Sequence, residues 1–239
     1  MVTATNTIGG TPSSGASEVK NPDYNSATNL IRVSVVEDNE QLRRALVFQL
    51  ATAGFEVTPH SSAEEFLKVA DASICDCIVV DNFLPRMNGL QLQAELRRTA
   101  SFVSIVFISG HGNLSLGMQA MRNGAVDFLE KPIDDEALLR SIFRGAELSR
   151  NRRAEHAQLT ELERRRASLT PREREVFALV TAGLLNKQAG AEMGTTERTV
   201  KAHRERVMSK MGAESLADLV RMAGILELHS ARDRPAQVG

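Results

Sequence analysis

Cys77-Ile78-Val79-Val80-Asp81-Asn82-Phe83-Leu84-Pro85-Arg86-Met87-Asn88-Gly89 begins with four apolar residues and turns polar at an aspartate. An apolar run of that length, followed by the breakers Asn, Pro and Gly, predicts a strand buried on both faces. Outward from it the same signal recurs. Ile31–Val36, Phe55–Thr58, Val103–Ile108 and Val126–Leu129 read as strands. Helical spacing of apolar residues marks Gln41–Ala53, with Leu42, Ala45, Leu46 and Leu50, and then Ala63–Ala70, Leu90–Arg98, Leu114–Arg122 and Asp134–Arg150. Strands alternating with helices predict an α/β unit with a parallel, doubly wound five-stranded sheet.

Such sheets place their sites at the carboxyl ends of the strands. Five polar residues fall there: Glu37 and Asp38 after the first strand, Asp81 after the third, Ser109 after the fourth and Lys131 after the fifth. Three carboxylates converging on one crevice repel one another unless a cation holds them. A hard divalent ion such as Mg2+ suits oxygen ligands of this kind and lets Asp81 attack a phosphoryl group. Lys131 would neutralise charge on that group, and the Ser109 hydroxyl would hydrogen-bond one of its oxygens. Each residue alone is an ordinary turn, cap or surface residue; the coincidence over the strands is what is specific.

The bulk properties agree with a soluble globular chain: 239 residues, 42% apolar, 25% charged, no Trp and one Tyr. The net charge of −1 hides an asymmetry. Residues 1–150 carry 13 Lys+Arg against 18 Asp+Glu, and residues 151–239 carry 16 against 12. An acidic front and a basic back suggest different partners. Cys75 and Cys77 read as two small buried residues rather than a metal site or a disulfide framework. No apolar run approaches a membrane span and no secretory signal is visible, so a cytoplasmic protein with no membrane partner is expected. Residues 1–29, rich in Ser, Thr, Gly, Ala and Asn without an apolar period, read as a disordered tail.

Val35-Val36-Glu37-Asp38, Val80-Asp81 through Asn88-Gly89, Ile108-Ser109-Gly110-His111-Gly112 and Asp127-Phe128-Leu129-Glu130-Lys131-Pro132 together resemble the receiver domain of two-component response regulators. The resemblance implies a flavodoxin-like (βα)5 receiver over about residues 30–148. It makes Asp81 the phosphoacceptor, with Ser109 and Lys131 completing the site. It makes Glu37, Asp38, Asp81 and the backbone carbonyl of Phe83 the Mg2+ ligands, and Phe128 the switch aromatic. Ser109 stands where Thr is commoner, which keeps the hydroxyl and loses a methyl. Phe83 stands where a haloacid-dehalogenase-type phosphatase would need a second Asp as acid/base, so that enzymatic reading is set aside and no enzyme is expected.

Residues 149–163, dense in Arg and Glu without Pro or Gly, read as a helical linker. Thr170-Pro171-Arg172-Glu173 then starts a new unit with a capping box and a proline suited to the first helical turn. Four short helices are expected, about 171–182, 186–193, 197–211 and 215–223, with residues 230–239 a flexible tail. Leu169 through Val176, Asn186-Lys187, Glu197 through Arg204, and Ala217 through Val220 resemble the LuxR-type helix-turn-helix over residues 164–229. Val200, Val207 and Met211 share one face of the third helix, suited to packing. Lys187, Arg198, Lys201 and Lys210 can meet phosphates. The resemblance puts Lys201, Ala202 and Glu205 nearest the base edges in the major groove. Gly190 inside the second helix predicts thinner packing there, and a Gly190→Ala substitution is expected to stabilise the domain. His203 reads as a half-buried structural histidine.

The combined pattern is similar to the FixJ branch of the NarL/FixJ class. It implies a transcription factor phosphorylated by a cognate sensor histidine kinase, dimerising on phosphorylation, binding double-stranded promoter DNA and working with RNA polymerase. The competing reading is a phosphorylation-independent DNA-binding adaptor with an inert receiver.

Overall fold

The computed structural model describes residues 30–69, 74–99, 101–110 and 114–232. The expected tail at 1–29 and the segment His111-Gly112 lie outside the described residues. At the centre of the sheet is β3 (Cys77–Asp81), buried over its whole length. It is flanked by β1 (Arg32–Val36) and β4 (Ser104–Ser109), with β2 (Glu56–His60) and β5 (Asp127–Glu130) at the edges. The order is β2-β1-β3-β4-β5 and every pairing is parallel, the flavodoxin-like arrangement.

Period-two alternation divides the sheet between two apolar layers. Val33, Val35, Cys77, Val79, Val106 and Ile108 pack under α1 (Glu40–Thr52) and the first half of α5 (Asp135–Ala167). Val36, Ile78, Val80, Ile105 and Phe107 face α2 (Ala63–Val69), α3 (Gly89–Arg98) and α4 (Leu114–Arg122). The central strands read as unbroken apolar runs because helices cover both of their faces. Asn39 and Asn88 cap α1 and α3, the latter in a capping box with Gln91. Gly89 is required by close approach: a Cβ there would meet the Phe107 ring at 2.8 Å and the Asp81 carbonyl oxygen at 3.0 Å. The start of α3 is thus pressed directly behind Asp81. Cys75 and Cys77 are both free and buried, as expected.

The structure departs from the expected element boundaries at two helices. The fifth helix and the linker are one continuous α5 of 33 residues. Good helix formers run through residues 149–167, and Glu161 pairs with Arg164 and Arg165 one turn on. The helix stops only where Thr170, extended before Pro171, cannot continue it. Ser149 Oγ accepts the Ser104 N–H at 2.8 Å. Arg150 and Arg153 both reach the buried carboxylate of Asp76, Arg150 at 2.9 Å. Leu159 and Leu162, further along, are buried in a separate core with the remaining helices.

Those helices are α6 (Pro171–Thr181), α7 (Asn186–Glu192), α8 (Glu197–Met211) and α9 (Leu216–Arg232). The last is longer than expected, because Leu226, beyond the expected end at residue 223, continues its buried face. Part of the expected 230–239 tail is therefore helical; residues 233–239 lie outside the described residues. Thr170 and Glu173 form the capping box at α6. The expectation of thin packing at Gly190 is not met. A Cβ there would lie 3.0 Å from the Thr195 carbonyl oxygen and 3.4 Å from the Glu197 nitrogen. The turn between α7 and α8 is packed onto the glycine, and its atoms are backbone that cannot swing aside. Gly190 makes the helix pair closer, not thinner.

Candidate functional site

The sheet brings Glu37, Asp38, Asp81 and Lys131 together at the carboxyl ends of its strands. Glu37 and Asp38 leave β1, Asp81 ends β3, Ser109 ends β4 and Lys131 follows β5. Carboxylate oxygens of Glu37, Asp38 and Asp81 lie within 4.8 Å of one another, with Glu37 and Asp81 buried and Asp38 exposed. Lys131 Nζ donates to Asp81 Oδ2 at 2.5 Å and to Glu37 Oε2 at 2.9 Å. One ammonium is thus shared between two buried carboxylates, which leaves the negative charge of the three only partly offset.

Burial pushes the Glu37 carboxyl above its ordinary pKa, against the opposing pull of Lys131 and of the Asn39 N–H. Burial alone would lower Lys131, but its bonds to Asp81 and Glu37 outweigh that and raise it. The ammonium is therefore fixed in its charged form, while the carboxylate set carries more negative charge than one lysine cancels. An all-oxygen, acid-rich cluster of this kind fits a hard divalent cation.

Local geometry holds each group. The Phe83 N–H donates to Asp81 Oδ1 at 2.9 Å, which leaves Oδ2 toward Lys131. Arg43, one turn into α1, donates to the carbonyl of Glu37 at 2.6 Å and of Asp38 at 3.2 Å. Sequence reasoning missed Arg43; its position one helical turn after the Asn39 cap was the available signal. The Ser109 side chain is wholly buried and its Oγ has no hydrogen-bond partner. A buried hydroxyl without a protein partner is uncommon. Phe128 is half-buried, stacked on Phe107 with ring centroids 6.2 Å apart, and its ring lies against Gly117 of α4.

In the carboxy-terminal unit, Thr196 caps α8 by accepting the Thr199 N–H. Val200, Val207 and Met211 are buried, while Arg198, Lys201, Ala202 and Glu205 are exposed along the other side. Lys187 is exposed at the first turn of α7, and Arg204 donates to Asn186 at 3.2 Å, joining the two helices. Lys210 differs from the expectation of a phosphate contact. Its ammonium donates to Glu173 at 2.6 Å and to the Ser168 carbonyl at 3.2 Å, so it serves the buried cap carboxylate. His203 is half-buried.

Comparison with known proteins follows the same division. Residues 33–143 match the response regulator receiver domain, and residues 167–223 match the bacterial regulatory proteins of the luxR family. Nodulation protein W of Bradyrhizobium diazoefficiens is 40% identical over 215 residues, which is 90% of this chain and 95% of that protein. The transcriptional regulatory protein FixJ of Azorhizobium caulinodans is 37% identical over 201 residues, 84% of this chain and 95% of that one. The solved structure of the response regulator StyR, 38% identical, superposes with a TM-score of 0.75 over 82% of this chain and 98% of its own. The receiver sheet and the helical DNA-binding unit, joined in this order, make the chain a member of the NarL/FixJ class of two-component response regulators, a transcription factor rather than an enzyme.

Proposed function

We propose that Asp81 accepts a phosphoryl group from a sensor histidine kinase, and that this modification controls dimerisation and promoter binding. The observation that carries the reading is the meeting of three carboxylates and one lysine at the ends of three strands, beside an unpartnered serine hydroxyl. An Asp81 oxygen bonds to phosphorus as the phosphorus–nitrogen bond to the kinase histidine breaks, the electron pair staying on the imidazole. Glu37, Asp38, Asp81 and the Phe83 carbonyl would hold Mg2+, which when bound offsets phosphoryl charge. Lys131 then pairs with a phosphoryl oxygen and Ser109 donates to another. Phe128, beside the small Gly117, turns inward as Ser109 is drawn toward Asp81.

The receiver unit runs over residues 30–148 and the DNA-binding unit over 164–229, and of the joining residues 149–163 of α5, Ser149, Arg150 and Arg153 bond to the receiver while Leu159 and Leu162 pack in the helical core. Leu114, Met118 and Met121 are exposed on α4 next to β5, and that face suits pairing with a second copy. A dimer presents two α8 helices to two half-sites. Arg198, Lys201 and Lys187 meet phosphates, and Lys201, Ala202 and Glu205 lie nearest the bases; Lys210 is committed to Glu173. RNA polymerase is the downstream partner at the promoter. Among the described residues no helix is long and apolar enough to cross a membrane, which suits a cytoplasmic site of action.

Acetyl phosphate and Mg2+ should label the chain on Asp81, shift it toward dimer in sedimentation and raise its affinity for promoter DNA. Asp81→Asn should abolish all three. Equal dimerisation and DNA affinity in that variant would instead support the inert-receiver reading.

A further inference from the structure

A second polar cleft lies at the opposite end of the receiver sheet from Asp81. It occupies about 290 Å3 between α3, the turn from α4 to β5, and the extension of α5. Arg97 of α3, Arg122 of α4 and Arg152 of α5 all line it, and among the described residues no carboxylate does. The other arginines of this region are differently placed: Arg98 pairs with Glu95, and Arg150 and Arg153 are held by Asp76. Arg97 has only a long contact of 3.5 Å to Asn123 across the rim. Arg97, Arg122 and Arg152 are exposed and reach one concavity from three separate helices, a concentration of positive charge that favours an anion.

The floor supplies a second, independent observation. Gln93 is 2% exposed and lines the cleft. Its Nε2 donates to the Ala120 carbonyl at 3.1 Å, which fixes the amide, and its buried Oε1 has no partner. An orphaned buried acceptor calls for a donor. Beside it, Leu96, Val103 and Ile105 offer an apolar base for a carbon skeleton.

We infer that this cleft binds a small hydroxylated phosphate ester, of the sugar-phosphate or nucleotide class. The phosphate sits among Arg97, Arg122 and Arg152, and the rest of the ligand lies over the floor formed by Gln93, Leu96, Val103 and Ile105. A phosphate matches three converging guanidiniums better than a single carboxylate, because it offers three terminal oxygens. Arg152 stands between Arg150 and Arg153, on the part of α5 that leaves the receiver. Occupancy would tie that segment to α3 and α4, giving the regulator a second input independent of Asp81.

The test is calorimetric titration of the full chain, in EDTA to keep anions from the metal site, with ribose 5-phosphate, inorganic phosphate and ribose at constant ionic strength. Ribose 5-phosphate should bind, inorganic phosphate about tenfold more weakly, and ribose not detectably. Arg122→Ala and Arg152→Ala should each weaken ribose 5-phosphate about tenfold, and the Arg97/Arg122/Arg152 triple alanine variant should lose it. The triple variant should still take phosphoryl from acetyl phosphate on Asp81, which shows that it is folded. Binding unchanged in the triple variant, or no binding by wild type, overturns the site. Equal affinity for ribose 5-phosphate and inorganic phosphate overturns the role of the floor and leaves an adventitious ion only.

Discussion

Lys131 Nζ lies 2.5 Å from Asp81 Oδ2 and 2.9 Å from Glu37 Oε2, so a single flexible side chain is the internal counter-charge of the acidic crevice. Both carboxylates are buried, and removal of a partner from a buried ion pair leaves uncompensated charge. Lys131→Ala should therefore destabilise the chain by about 1–3 kcal/mol in EDTA. Mg2+ should then raise the melting temperature of the variant more than that of the wild type. Thermal melts with and without the ion check this; an equal Mg2+ effect on both proteins would show that lysine and cation do not share a task.

Ser109→Ala should change resting stability by less than about 0.5 kcal/mol, since its Oγ makes no hydrogen bond to be lost. The same variant should lose most of its dimerisation in acetyl phosphate. Parallel calorimetry and sedimentation separate a packing role, which would lower the melting temperature, from a switching role, which would not.

Gly190→Ala should destabilise by about 1–3 kcal/mol, because overpacking against backbone outweighs the better helix propensity of Ala. Urea unfolding of the full chain measures it. A stabilised variant would mean that the turn at Thr195 yields easily.

Lys210 and the Thr170 N–H hold the Glu173 carboxyl down at about 2. Its folded value lies below the ordinary 4.5, so its contribution is complete above about pH 4.5 and is lost as pH falls from there toward 2. Glu173→Gln should lower stability by about 1–2 kcal/mol at neutral pH and flatten the acid limb of the melting curve. Scanning calorimetry from pH 7 to pH 3, on wild type and variant, decides it.

The receiver was legible in the sequence because one physical rule covers it. Apolar runs buried between helices end where polarity begins, and Glu37, Asp38, Asp81, Ser109 and Lys131 mark those ends. What sequence reasoning missed depends on distances that no pattern encodes. Propensity alone favours Ala over Gly190; the Thr195 carbonyl oxygen, 3.0 Å from where a Cβ would lie, opposes it. Lys210 looks like any basic residue near a recognition helix until Glu173 is found beneath it. Asp76, remote from the acidic crevice, gave no local hint that Arg150 and Arg153 would converge on it. Residues 149–163 read as helical, but nothing in them says that they share an axis with the fifth receiver helix.

That shared axis makes the two units torsionally coupled. An α-helix turns about 100° and advances about 1.5 Å per residue. One alanine inserted among the exposed residues Ala154, Glu155, Ala157 and Gln158 would rotate the DNA-binding unit about 100° around α5, whereas seven would bring it back to within about 20° of its original phase. Phosphorylation-dependent DNA affinity, measured across a series of one to eight inserted alanines, should rise and fall with that periodicity. A response that merely declines with length would mean that α5 bends like a tether between the two units.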